Sequence, residues 1–169
     1  YGENLNYDNL NNEVEFRATI RQVFDSPLYY NACLSCSKKV EPISNEKGVC
    51  PNHNEITYMP KLLFRVLLDD GTNVFNVTMI GNIAERITGM KAHHVRKFLA
   101  NNQNDDILLY NEIKDRIIGN EYFIKGKLEI RKTSDDSIDK IYWDFKINYI
   151  AKANSTLEIN VLQNEISNE

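Results

Sequence analysis

No run of 18 consecutive apolar residues occurs in the chain, so no segment reads as a transmembrane helix. The opening residues read as neither a signal peptide nor an Arg-rich transit peptide. The first twelve residues, YGENLNYDNLNN, are polar, acidic and rich in Asn. Cysteine is scarce. Three residues cannot make a complete disulfide set, and without a secretory signal the reduced, metal-binding reading is favoured over bridging. A basic excess is also lacking. The formal net charge is −4, which taken alone argues against a nucleic-acid footprint.

That charge is unevenly spread. Residues 1–15 carry Glu3, Asp8, Glu13 and Glu15 and no base, and residues 153–169 carry Glu158, Glu165 and Glu169 and no base. All 20 bases therefore fall in 16–152 against 17 acids, a core of +3 with acidic ends. Nucleic acid is not excluded after all. The 169 residues, 42% hydrophobic and 26% charged, suit one globular domain able to bury its own core. The 22 Asn, 18 Ile and 13 Lys hint at AT-rich coding sequence, which bears on source and not on fold. A start at Tyr1 reads as a piece of a longer protein.

Residues 1–12 read as a lead-in or linker. From 13 to 24, Val14, Phe16, Ala18 and Ile20 alternate with Glu15, Arg17, Thr19 and Arg21, the pattern of a half-buried strand. Residues 25–60 hold every cysteine and show little periodicity, so this insertion needs its own organising principle. KLLFRVLLD (61–69) reads as a strand, Asp70-Gly71 as a tight turn and TNVFNVTMI (72–80) as its hairpin partner. Helical spacing then runs over 82–100, interrupted at Gly89. A second helix over about 105–118 is capped by Asp105 or Asp106 and stopped by Gly119-Asn120. EYFIKGKLEIRK (121–132) and KIYWDFKINYIA (140–151) are two more strands, joined by a polar loop over 133–139. The tail over 153–169 reads as a helix with Ile159, Leu162 and Ile166 on one face. The expected fold is mainly β: a five-stranded OB barrel over 13–152 with an inserted ribbon, helices between strands three and four, and a C-terminal helix.

Cys33-x2-Cys36 and Cys50-x2-His53 form two knuckles. Tetrahedral zinc takes four such ligands, and each short knuckle supplies two from one turn. The insertion has too few apolar residues for a core, so ligation supplies its folding energy. Four protein ligands close the site, making one zinc ion structural and not catalytic. His53-Asn54-Glu55 matches the H-x-E fragment of zinc deaminases, but there it precedes a P-C-x-x-C and here it follows both cysteine pairs. A zinc enzyme is disfavoured on both counts. His93 and His94 read as solvated or helix-end residues. Asp69 and Asp70 read as turn formers.

YYNACLSCSKKV (29–40), GVCPNH (48–53) and KLLFRVLLDDGTNVFNVTMIGNIAERITGM (61–90) together resemble the third, C-terminal single-stranded-DNA-binding domain of the replication protein A large subunit. A paralogous branch works at telomeres, and the resemblance extends to its ciliate, telomerase-associated member. His53 departs from that family, whose eukaryotic members usually have a fourth cysteine there. The resemblance implies single-stranded DNA binding without catalysis, in replication or repair or at telomeres, and a nuclear location in a eukaryote. It implies other OB domains in the same chain, partner subunits met by the C-terminal helix, and no membrane.

The groove of an OB fold lies mainly on strands two and three. Period two turns Leu62, Phe64, Val66 and Leu68 inward and Lys61 and Arg65 toward the groove. In strand three the resemblance sets Asn76, Thr78 and Ile80 outward and Phe75, Val77 and Met79 inward. A one-residue slip exposes Phe75 instead. The family often carries aromatic residues on the outward row, and this chain does not. Lys125, Lys127, Glu129 and Arg131 share a face of strand four. Tyr142, Asp144, Lys146 and Asn148 share one in strand five, opposite Trp143, Phe145 and Ile147. Such rows are ordinarily a solvated sheet surface, and the run of bases supplies the functional reading. Tyr30, Lys38 and Lys39 sit on the ribbon, where Tyr30 serves either the groove or the ribbon core. The expected DNA contacts are Lys39, Lys61, Arg65, Asn76, Thr78, Lys125, Lys127, Arg131, Tyr142 and Lys146. The competing expectation is an assembly domain that keeps the fold, binds DNA weakly and recruits partner subunits of a heterotrimer or of telomerase.

Overall fold

Alternation carries β1 (Glu13–Phe24) as far as Ile20 and then breaks once. Ala18 and Ile20 are buried, and the next buried residue is Val23, because a bulge falls between Ile20 and Gln22 in the pairing with β5. The extra residue, Arg21, faces out and meets Asp69 at 2.8 Å. These coordinates belong to a computed structural model that describes residues 13–103, 105–135 and 138–154, with side chains for all of these except 129–144. The lead-in over 1–12 and the C-terminal helix expected around Ile159, Leu162 and Ile166 lie outside the described residues.

After β1 come β2 (Tyr29–Cys33), β3 (Glu41–Pro42), β4 (Lys47–Cys50), β5 (Asn54–Asp69) and β6 (Val74–Ile80). Three helices follow, α1 (Asn82–Thr88), α2 (Ala92–Asn101) and α3 (Ile107–Ile117), then β7 (Glu121–Asp135) and β8 (Ile138–Lys152). The strands pair in the order β3-β4-β5-β1-β7-β8, with β2 and β6 also on β5. β1, β5, β6, β7 and β8 are the five barrel strands, with the helices between the third and fourth, as the OB reading requires.

Two boundaries differ from expectation. The strand placed at 61–69 begins at Asn54, so one strand serves both ribbon and barrel. Its first half pairs with β4 and β2, and its second with β1 and β6. The polar loop placed at 133–139 is mostly ladder: β7 and β8 pair as far as Asp135↔Ile138, because a long hairpin gives polar residues backbone partners that a loop would leave to water.

Leu62, Phe64, Val66 and Leu68 are all fully buried. Facing them, Val77 and Met79 point in while Asn76, Thr78 and Ile80 are exposed. Phe75 packs against the core with Phe16 and Phe145, at ring separations of 5.6 and 6.4 Å, which rules out the slipped register. These three rings bridge β6 to β8, two strands joined by no ladder among the described residues. Aromatic packing closes the barrel there.

Gly89 ends α1 in the left-handed region (φ 70), where a side chain would be strained. Glu85 then ties α1 to α2, accepting the Ala92 N–H at 3.0 Å and the Lys91 ammonium at 2.7 Å. Asp105, not Asp106, supplies the side-chain bond at the start of α3, accepting the Ile107 N–H at 3.1 Å. No helix among the described residues is long and apolar enough to cross a membrane.

Candidate metal centre and nucleic-acid interface

Each knuckle is a tight turn closed by the backbone. Ser37 N–H donates to the Cys33 carbonyl at 2.8 Å, and His53 N–H donates to that of Cys50 at 3.3 Å. The residue after each second ligand, Ser37 (φ 61) and Asn54 (φ 55), adopts the left-handed backbone that reverses the chain. β2 delivers the first knuckle and β4 the second, with β5 between them in the sheet. Gly48 lets β4 approach, since a Cβ there would lie 2.4 Å from Val40 Cγ1.

The turns bring Cys33, Cys36, Cys50 and His53 together, with all ligand atoms within 4.8 Å of one another. Cys36 Sγ and Cys50 Sγ are 3.6 Å apart, and His53 Nδ1 is 3.6 Å from both Cys33 Sγ and Cys50 Sγ. A tetrahedral ion with bonds of about 2.0–2.3 Å separates its ligands by roughly 3.5–3.8 Å. The four donors therefore fit one metal ion. Burial pushes the Cys50 thiol up, but hydrogen bonds from the Asn52 backbone, His53 and the other cysteines outweigh it. Together they bring the thiol from 9.0 down to about 6. The Cys36 thiol goes the other way: a Lys38 backbone hydrogen bond lowers it, and burial with the neighbouring cysteines leaves it raised. A thiolate among hydrogen-bonded thiols is a ready cation ligand. The ribbon's buried cluster is otherwise small, with Val40 and Tyr58 beside Cys33 and Cys50. His93 and His94 are exposed on α2 and join no ligand group among the described residues. Glu55, the carboxylate of the H-x-E fragment, is held by Lys47 at 2.9 Å.

The outward face of β1, β5 and β6 is built in rows. Phe24, Arg65 and Thr78 are in register across the three strands, and so are Gln22, Leu67 and Asn76; Leu63 pairs with Ile80. Arg65 lies over the Phe24 ring at 6.0 Å, which leaves its guanidinium at the surface above an apolar base. Lys61, half-buried, donates to Ser37 Oγ at 2.7 Å and so reaches onto the ribbon. A cleft of about 650 Å³ continues the face there, lined by Tyr30, Lys39, Leu63 and Ile80 among others. Tyr30 is half-buried, its hydroxyl donates to the Ser37 carbonyl at 3.2 Å, and it lines the cleft.

On β7, Lys125 forms an ion pair with Glu15 and lies over Phe123. Lys127 stands in register between Glu13 and Lys146. The two β1 acids thus offset this basic row. Nothing in the local pattern of strand four reveals them, because they are more than a hundred residues away in sequence. A bulge between Lys125 and Gly126 in the β7–β8 pairing makes both Asn148 and Tyr149 exposed between buried Ile147 and Ile150. Arg131 and Tyr142 pair through their backbones, and their side chains lie outside the described set. Asp69 and Asp70 are turn formers as expected: Asp70 Oδ1 accepts the Thr72 N–H, the Thr72 hydroxyl and the Asn73 N–H. Reading the strands also missed Phe24, whose role depends on the bulge in β1.

Residues 14–161 match the family described as "Replication factor-A C terminal domain". A relative from Tetrahymena thermophila, the replication protein A 70 kDa DNA-binding subunit, is 34% identical over 79 residues, which is 46% of this chain and 12% of that protein. The chain thus spans about an eighth of that relative's length. Two solved structures share the fold. One is a replication protein A heterotrimer bound to single-stranded DNA (TM-score 0.65, 18% identity, 92% of this chain and 36% of that one). The other is yeast replication protein A bound to single-stranded DNA (TM-score 0.64, 19% identity, 99% and 92%).

Proposed function

The chain belongs to the replication factor-A C-terminal domain family, and from that premise we propose that it is a non-catalytic module that binds single-stranded DNA. The carrying observation is the outward face of β1, β5 and β6. Its rows hold one cation over an aromatic ring, three polar side chains (Gln22, Asn76 and Thr78) and three apolar ones (Leu63, Leu67 and Ile80), and the carboxylate of the next row, Asp69, is held by Arg21. Arg65 and Lys61 meet phosphates, Asn76 and Thr78 hydrogen-bond to the strand, and Leu63 and Ile80 offer apolar floor to the bases. Lys39 extends the path along the ribbon. Lys125, Lys127 and Lys146 form a second strip on β7 and β8, weaker where Glu13 and Glu15 stand opposite, and Arg131 and Tyr142 pair further along the same ladder as proposed contacts.

The ion is zinc, because three thiolates and an imidazole suit a soft or borderline cation. It is structural, because protein donors fill all four positions. Cys33, Cys36, Cys50 and His53 would hold it, and its contribution is to order the ribbon that carries Lys39. The parent protein acts in the nucleus in replication or repair, with further OB domains in the same chain and partner subunits. A preference for telomeric repeats over scrambled oligonucleotides would assign it to the telomeric branch instead.

One observation favours the assembly reading: Asn76, Thr78 and Ile80 put no aromatic ring on β6 for stacking. Fluorescence anisotropy with zinc-loaded protein separates the two. Single strands should bind more tightly than duplex, and Arg65→Ala should weaken binding and flatten the salt dependence by roughly 0.7 in slope, the value of one phosphate contact. Equal binding of single strand and duplex at low salt would sink the DNA reading in favour of assembly.

A further inference from the structure

Three clefts ring the neck of the ribbon, and they share walls. The cleft beside Tyr30 and Lys39 shares Ile80 with one of about 590 Å³ lined by Met59, Lys61, Lys91 and His93. That second cleft shares His93 with a third, of about 770 Å³, between the ribbon and α2, lined by Tyr29, Asn31, Tyr58, Arg96 and Lys97. The third returns to the first through Tyr29, Asn31 and Pro42.

Two basic residues on this ring, Arg96 and Lys97, stand apart from those held in ion pairs. Arg21, Lys47, Arg116 and Lys125 each face a carboxylate, as does Lys91 through Glu85. Arg96 and Lys97 take part in no ion pair among the described residues, and α2 itself, AHHVRKFLAN, contains no acid. His93 lies one turn before both, so Arg96, Lys97 and an imidazole share one helix face, while Glu41 and Glu85 line the two adjoining clefts. Glu46 is the one carboxylate lining the third cleft. A basic stripe continuous with a DNA-binding face fits more of the same polyanion better than it fits a separate acidic peptide.

We infer that the single strand continues past the β5–β6 face, round the neck of the ribbon and onto α2, where Arg96 and Lys97 hold its phosphates. This rests on the single-stranded DNA reading above. The contact is to the backbone and so is indifferent to sequence. It lengthens the footprint toward the upper end of the roughly 4–16 nucleotides an OB fold covers.

Arg96→Gln/Lys97→Gln removes both charges from surface positions, and Arg96→Lys/Lys97→Arg keeps them. Labelled oligo-dT of about 8 and about 16 nucleotides, bracketing that range, is titrated against each zinc-loaded protein. The short oligonucleotide should bind wild type and both variants alike. With the long one, the Gln variant should lose roughly 1.4 in salt slope, so that between about 50 and 200 mM salt wild type loses about sevenfold more affinity than the variant. The charge-keeping variant should match wild type. A Gln variant with the wild-type slope on the long strand overturns the α2 path and leaves the barrel reading standing. Equal loss on both lengths overturns it as well, since the residues then act through the fold. If wild type binds neither length, the underlying DNA reading itself has failed.

Discussion

Stripping the metal should dissolve the ribbon and spare the barrel. The ribbon's own apolar core comes down to Val40 and Tyr58, with Ile56 partly buried. At about 1.5–3 kcal/mol for each fully buried side chain, these contribute on the order of 5–8 kcal/mol. A structural zinc contributes about 10–16 kcal/mol near neutral pH, the larger amount. Without it, the burial that remains is too small to hold the ribbon ordered. The barrel keeps its separate cluster, including Ile20, Phe64, Val66, Ile124 and Ile150. Amide exchange followed residue by residue before and after chelation is the assay, with metal analysis to prove removal. Protection should vanish in β2, β3, β4 and the first half of β5, while β1, β6 and the second half of β5 hold. Cys33→Ser should reproduce the pattern. Two results would refute the reasoning: an unchanged ribbon in metal-free protein, or loss of the barrel at the same chelator concentration.

Other outcomes follow from single positions. Gly126→Ala would place a Cβ 2.5 Å from the Lys146 carbonyl oxygen and 2.5 Å from Phe145 Cζ, so urea melts should show a loss of about 1–3 kcal/mol typical of overpacking. Hydrogen bonds from the Thr72 hydroxyl and from the Asn73 and Thr72 backbones hold the Asp70 carboxyl below its usual range. Its stabilisation is therefore present above pH 3.8 and is lost as pH falls through the depressed value. Asp70→Ala should lower the urea midpoint at neutral pH, and the gap from wild type should close in strong acid. A gap that stays constant with pH would show that the turn bonds do not depend on the ionised carboxylate.

The hairpin of strands two and three was legible because alternation in KLLFRVLLD gives it one wholly apolar face; the register of NVFNVTMI was not, because Val74 and Phe75 are adjacent apolar residues and either could turn inward. The four ligands were legible because two knuckles have no other economical use for their spacing. Bulges were not. Arg21 and Asn148 each add one residue that no local pattern marks, and each re-aims its neighbours. The extent of β5 was hidden as well, since NEITYMP looks like the polar end of an insertion until β4 and β2 give its backbone partners. The value of a basic row was the least readable property: Lys125 and Lys127 look available in their own strand, and only the fold brings Glu15 and Glu13 alongside.

β5 runs from Asn54 to Asp69 without a joint, and this dictates which insertions and deletions the protein tolerates. Tyr58 in the ribbon and Phe64 and Val66 in the barrel are buried on one phase of side chains. One residue added or removed near Thr57 would have to be absorbed by a bulge. Otherwise Phe64 and Val66 would turn to solvent and Arg65 into the core. Changes in pairs keep the phase but slide the knuckles relative to the barrel. The turn between β3 and β4 has no such constraint, so variation in the ribbon's length should accumulate at residues 43–46 and be absent from β5.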